Sequence, residues 1–112
     1  LHSTTSYPTN DEDINFNVIP TLENHYDCPI GYSGHEKGLG VTVSCIALGA
    51  CVIERHFTLD RTMKGPDHAS SIEREGMRLL VSRAKRLHIA LGLPDIRMLD
   101  CELPVRKKFR GY

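Results

Sequence analysis

GYSGHEKG at residues 31–38 and VIERHFTLD at residues 52–60, with the apolar, small-residue segment Leu39 to Leu48 between them, decide how this chain folds. Each stretch places a histidine where an apolar, β-forming run gives way to polar residues: His35 after the run Cys28 to Ser33, and His56 at the end of the run Ala50 to Phe57. The segment between them is long enough to cross over from one strand to a parallel neighbour. The expected order is strand, helix, strand, with a histidine at the carboxyl end of each strand. Parallel α/β architectures build active sites at those ends, and neighbouring strands lie about 4.8 Å apart, so two imidazoles there can reach one metal ion.

On the amino-terminal side, Leu1 to Thr5 reads as the end of a strand whose beginning is absent, and Ser6 to Asn10 as a polar loop in which Pro8 biases Tyr7 toward an extended conformation. Asp11 to Asp13 are acidic residues of the kind found at a helix amino terminus, and Ile14, Val18, Ile19 and Leu22 give one apolar helix face, kinked or broken at Pro20. On the carboxyl side, Gly49 ends the crossover helix. Thr58 to Ala69 is a polar loop too long to be a simple connector, and therefore a plausible functional loop. Ser70 and Glu73 match a capping box, and Met77, Leu80, Val81, Ala84, Leu87 and Leu91 form a helical stripe stopped by Gly92 and Pro94. Residues 93–112 show no sustained period and read as an exit linker.

The order is three consecutive βα units, an α/β class with a parallel sheet. Three units leave two open strand edges, whereas a complete eight-unit (β/α)8 TIM barrel needs about 250 residues. The expectation is a partial barrel, the last three βα units of a longer protein, with residues 1–92 in the barrel domain. Lysine plus arginine and aspartate plus glutamate stand at 14 each, so charge gives no bias toward nucleic acid or an anionic membrane surface. The basic cluster Arg106, Lys107, Lys108 and Arg110 reads as a solvated tail. No apolar run approaches the roughly 20 residues of a membrane helix, and no signal-peptide order opens the chain, so a cytoplasmic protein is expected. Cys28, Cys45, Cys51 and Cys101 form no C-x-x-C pair; three of them lie in apolar runs, where reduced thiols behave as small hydrophobes.

Alternation along the second histidine-bearing strand puts Val52, Glu54 and His56 on one face and Ile53, Arg55 and Phe57 on the other. A carboxylate and an imidazole thus share a face, as a metal ligand and its orienting partner do, although Glu54 is as readily a member of a buried polar network. His35, Ser33 and Asp67 can approach the same point from neighbouring loops. Two neutral histidines with oxygen ligands and waters suit a divalent ion such as Mn²⁺, whereas a structural zinc site would want thiolates or four closed ligands. A histidine at a strand end is, on pattern alone, more often a hydrogen-bonded structural residue. His2, His25, His68 and His88 are read as structural or surface residues.

Three separate motifs, TTSYP at 4–8, GYSGHEKG at 31–38 and ALGACVIERHFTLDRTMKGPDHASS at 47–71, closely resemble the sialic acid synthase family of bacterial and animal N-acetylneuraminate synthases in order and spacing. The resemblance runs through essentially the whole chain. It implies a TIM-barrel transferase of sialic acid biosynthesis that condenses phosphoenolpyruvate with an N-acylated mannosamine, or a related amino sugar, to a nonulosonic acid and inorganic phosphate. His35 and His56, 21 residues apart, match the family's two metal-binding histidines for Mn²⁺ or Mg²⁺. Ser33 and Asp67 match positions lining the substrate pocket, Asp67 also being the candidate catalytic residue, and Tyr7 matches an aromatic residue that contacts the amino sugar.

The family's lysines and much of its phosphate cradle come from earlier strands, and no segment here supplies them. The family is also dimeric and carries a small antifreeze-like domain, toward which residues 93–112 would lead. The resemblance therefore implies a homodimer for the full-length protein and an inactive polypeptide for this chain alone. The competing reading is a non-catalytic metal-binding or self-associating βα fragment, since open edges invite pairing.

Overall fold

Three short strands run parallel and lie side by side in chain order: β1 (His2–Ser3), β2 (Gly31–Gly34) and β3 (Val52–Arg55), in a computed structural model that describes residues 1–112. The register pairs His2 with Tyr32 and Ser3 with Ser33, then Gly31, Tyr32, Ser33 and Gly34 with Val52, Ile53, Glu54 and Arg55. Parallel neighbours cannot be joined by a tight hairpin, so each connection carries helix. A 3₁₀ turn at Asp11–Asp13 and helix α1 (Val18–His25) join β1 to β2, while α2 (Gly40–Ser44), tightening into a 3₁₀ turn at Cys45–Leu48, joins β2 to β3. Helix α3 (Arg74–Leu91) follows β3, so the alternating order and parallel sheet expected of the sequence are both present.

One side of the sheet packs against these helices. Ile14, Ile19, Ile30, Tyr32, Cys45 and Ala50 form the main core, and Val43, Ile72 and Leu80 a second cluster on which Met77 and Leu87 of α3 also rest. Gly49 ends the crossover at φ 104°, a left-handed conformation that favours glycine, and its N–H caps the carbonyls of the last turn.

Several local expectations are corrected. The helical segment after β1 breaks at Asn15, with φ 52°, rather than at Pro20. Asparagine tolerates the left-handed region, and Pro20 lies in the first turn of α1, where a missing N–H leaves no intrahelical bond unmade. The Ser70–Glu73 capping box does not form. Ser70 closes a 3₁₀ turn, His68–Ser70, Ile72 stays extended to bridge Phe57, and the Glu73 carboxylate accepts the Arg61 N–H at 2.9 Å, so α3 begins only at Arg74. Of the cysteines only Cys45, facing the sheet, is enclosed; Cys28, Cys51 and Cys101 are free and exposed. Residues 93–112 are not featureless, since Leu103–Arg110 forms an exposed helix, α4, with Pro104 in its first turn and Gly111 in the left-handed conformation at its end. Its last turn holds Lys107, Lys108 and Arg110, where cations complement the helix dipole. No helix of the structure is long and apolar enough to cross a membrane.

Two measurements check this packing. Ile19 is completely buried whereas Ile96 is completely exposed, so Ile19→Ala is expected to lower the unfolding free energy by about 2–5 kcal/mol and Ile96→Ala by less than about 0.5 kcal/mol in urea denaturation. Burial, with the Glu36 charge nearby, pushes the Cys45 thiol up to about 11. A raised thiol pKa means the native state keeps a proton that the unfolded state releases, so stability falls as pH climbs from about 8.5 toward that value. At pH 8 a thiol reagent should modify Cys28, Cys51 and Cys101 quickly and Cys45 only after denaturant is added; four equally fast thiols would contradict the packing.

Candidate functional site

His35 and His56 stand just past the carboxyl ends of β2 and β3, and their backbones are pinned there. The His35 carbonyl accepts the Thr9 N–H at 3.0 Å, and the His56 carbonyl accepts the Ile72 N–H at 2.9 Å. The two rings approach edge to face, with centroids 5.2 Å apart and planes inclined at 78°. Tyr7, from the loop after β1, fits against both: it stacks on His56 at 4.4 Å and meets His35 edge-on at 5.3 Å. Its hydroxyl lies 3.1 Å from Ser71 Oγ and 3.2 Å from the Asp67 carbonyl oxygen, so the loops after β1 and β3 are tied together across the histidines. The structure thus brings Tyr7, His35 and His56 to one point.

Each imidazole has its Nδ1 turned toward an oxygen. His35 Nδ1 lies 2.7 Å from the Thr4 carbonyl oxygen; a carbonyl only accepts, so Nδ1 carries the proton and Nε2 is left with its lone pair. His56 Nδ1 faces Asp67 Oδ2 at 3.6 Å, longer than a hydrogen bond. Both side chains of this pair are open to solvent, at 40 % and 52 % exposure. His35 thus has an orienting oxygen on one nitrogen and a free lone pair on the other, an arrangement that metal-binding histidines share. No set of three or more His, Cys, Asp or Glu side chains converges on one point, so the chain offers two imidazole donors and leaves the rest of a coordination shell to water or a bound ligand. Two nitrogens without further protein ligands do not make a closed structural zinc site.

Ser33 is buried in β2, and its hydroxyl donates to Glu54 Oε1 at 2.8 Å across the strand pair. Glu54 is an exposed carboxylate on the histidine face, held by Ser33, rather than a member of a buried network. The buried network is formed by its neighbours. Glu36 and Arg55 are enclosed on the helix-facing side, together with Thr42 and Tyr32, whose hydroxyl is pushed far above its ordinary range by burial and by the Glu36 carboxylate. Sequence reasoning missed this group and the Ser71 tether. The available signal was Arg55, a charge alternating with Ile53 and Phe57 on what should be the apolar face. Of the remaining histidines, His2 bonds the Ile14 carbonyl, His25 the Thr21 carbonyl and His68 the Thr58 hydroxyl, all structural roles.

Residues 1–95 match the model of the NeuB family. The chain is 44% identical over 109 residues to N-acetylneuraminate-9-phosphate synthase of Homo sapiens, covering 96% of this chain and 30% of that protein. It is 39% identical over 110 residues to N,N'-diacetyllegionaminic acid synthase of Legionella pneumophila, covering 98% of this chain and 31% of that protein. Among solved structures, the N-acetylneuraminic acid synthetase of Leptospira borgpetersenii, determined with citrate, superposes with a TM-score of 0.82 at 36% identity, over 99% of this chain and 40% of that one. The chain spans about 30% of the length of the curated relatives it matches.

The hydrogen bonding predicts the resting tautomer. Long-range ¹H–¹⁵N spectra in alkaline solution should show His35 protonated on Nδ1 with an unprotonated Nε2; a predominant Nε2–H form would mean that the Thr4 carbonyl does not hold the ring.

Proposed function

This chain belongs to the NeuB family, and from that membership we propose that it forms the metal-binding part of a nonulosonic acid synthase, which condenses phosphoenolpyruvate with N-acetylmannosamine or a related amino sugar. On this reading the three βα units are the last three of an eight-unit barrel spanning residues 1–92, with residues 93–112 leading out of it. The full-length enzyme is a cytoplasmic homodimer. The observation that carries the reading is the convergence of His35, His56 and Tyr7 at the carboxyl ends of β2 and β3.

In the reaction, carbon three of phosphoenolpyruvate attacks the aldehyde carbon of the open-chain sugar, water adds at carbon two, and the carbon–oxygen bond to phosphate breaks. His35 and His56 would hold a divalent cation, Mn²⁺ or Mg²⁺, which when bound would supply Lewis-acid polarisation of the acceptor aldehyde. The Thr4 carbonyl keeps His35 in the tautomer that presents its Nε2, and the Asp67 carboxylate lies beside His56 Nδ1. Tyr7 offers an aromatic surface to the sugar beside them. Ser33 and Glu54 present polar groups toward the interior face of the sheet, and Asp67, half-exposed on its long loop, is free to hold a substrate hydroxyl or a water. Three carbons come from phosphoenolpyruvate, so carbon six of the acceptor becomes carbon nine of the product. The free sugar and its 6-phosphate are therefore the two acceptors to compare.

The test is release of inorganic phosphate from phosphoenolpyruvate with Mn²⁺ and each acceptor, using the intact protein that contains this chain and its His35→Ala/His56→Ala double variant. Loss of more than about 100-fold in the variant is expected, because both protein ligands to the cation are gone. Residues 1–112 alone should release no phosphate, since the phosphate-binding lysines of earlier strands are missing. Full activity in the double variant, or in the 112-residue chain, would overturn the assignment.

A further inference from the structure

Behind the two histidines, on the helix-facing side of the same strands, lies a buried polar cluster that the proposed chemistry does not use. Glu36 follows His35 and Arg55 precedes His56, so strand alternation turns each charged side chain away from the imidazole beside it. The Arg55 and Glu36 side chains are 1% and 0% exposed, with Nη1 and Oε1 3.5 Å apart. Arg55 Nη1 also donates to the Gly38 carbonyl at 2.7 Å and to Thr42 Oγ1 at 2.6 Å, while Nη2 donates to the Glu36 carbonyl at 2.7 Å. The Glu36 carboxylate in turn accepts the Tyr32 hydroxyl at 2.7 Å and the Thr42 hydroxyl.

Arg55 is the last residue of β3, and its fork ends on carbonyls at both ends of the stretch 36–38 that follows His35. Gly34 keeps the path clear: a Cβ there would lie 2.9 Å from Arg55 Cδ and 2.9 Å from Glu36 Oε2. A buried ion pair contributes little net stability compared with apolar residues of the same volume, whereas a rigid guanidinium fork constrains direction as well as distance. We propose that Glu36 and Arg55 are positioning residues: by locking the 34–38 loop onto the end of β3 they set the separation and tilt of His35 and His56, and through that spacing the affinity of the pair for a divalent cation. The affinity clause rests on the proposed role of the histidines; the spacing clause does not.

The decisive variant of the intact protein is Glu36→Gln/Arg55→Met, which removes both charges and the fork but keeps one amide acceptor between the Tyr32 and Thr42 hydroxyls. Its metal-free crystal structure should show the two rings displaced from their 5.2 Å spacing by about 1 Å, with the β2–β3 register unchanged. Its Mn²⁺ dissociation constant should rise by about tenfold. A folded variant with the parent spacing and Mn²⁺ affinity within about twofold overturns the proposal. Should the double variant fail to fold, Arg55→Lys keeps the charge but cannot span both carbonyls, and the same two outcomes are read on it. If the parent's Mn²⁺ binding is indifferent to His35→Ala/His56→Ala, the metal reading fails, and the ring spacing in the crystal still decides the role of the buried pair.

Discussion

The in-register pairing of β2 with β3 is the constraint on which the rest of the structure depends. Ser33 lies opposite Glu54 and Gly34 opposite Arg55, and successive side chains on paired strands point to opposite faces. One consequence is that His35 and His56 emerge together on the open face, with Ser33 and Glu54 beneath them. The other is that Glu36 and Arg55 are driven together on the helix-facing side. A slip of one residue in either strand would separate both pairs at once.

Support for the open face comes from unequal partners. The buried side is rigid: Tyr32, Glu36, Thr42 and Arg55 satisfy one another and fill the space under α2. The solvent side is held by lighter contacts, namely the Thr4 carbonyl on His35, the Asp67 carboxylate near His56, and Tyr7 laid across both rings. A firm base beneath holds the strand ends in place while the outer face of the rings stays open to solvent.

The long loop after β3 owes its order to the same arrangement. Ile72 stays extended to pair with Phe57, Thr58 accepts or donates at His68, and Ser71 donates to the Asp67 carbonyl at 2.7 Å. These bonds bring Asp67 back over the strand end, and they also explain why α3 starts late: Ser70 and Glu73, which a local pattern would assign to a cap, are spent on the turn and on Arg61.

The alternation of strand and helix, the parallel sheet, the end of the crossover at Gly49 and the placing of His35 and His56 at strand ends are all legible in the residues, because period, breaker residues and the motifs around the histidines are local signals. The family is legible there too, since three motifs in fixed order survive without any structure. Three-dimensional packing was needed to reveal that Glu54 stays on the exposed face while Arg55 finds Glu36, that Asn15 rather than Pro20 breaks the first helical segment, and that Tyr7 is tied to Ser71 across 64 positions of sequence. Those outcomes depend on which partner a side chain meets across the sheet or between loops, and pairing between distant segments leaves no periodic trace along the chain.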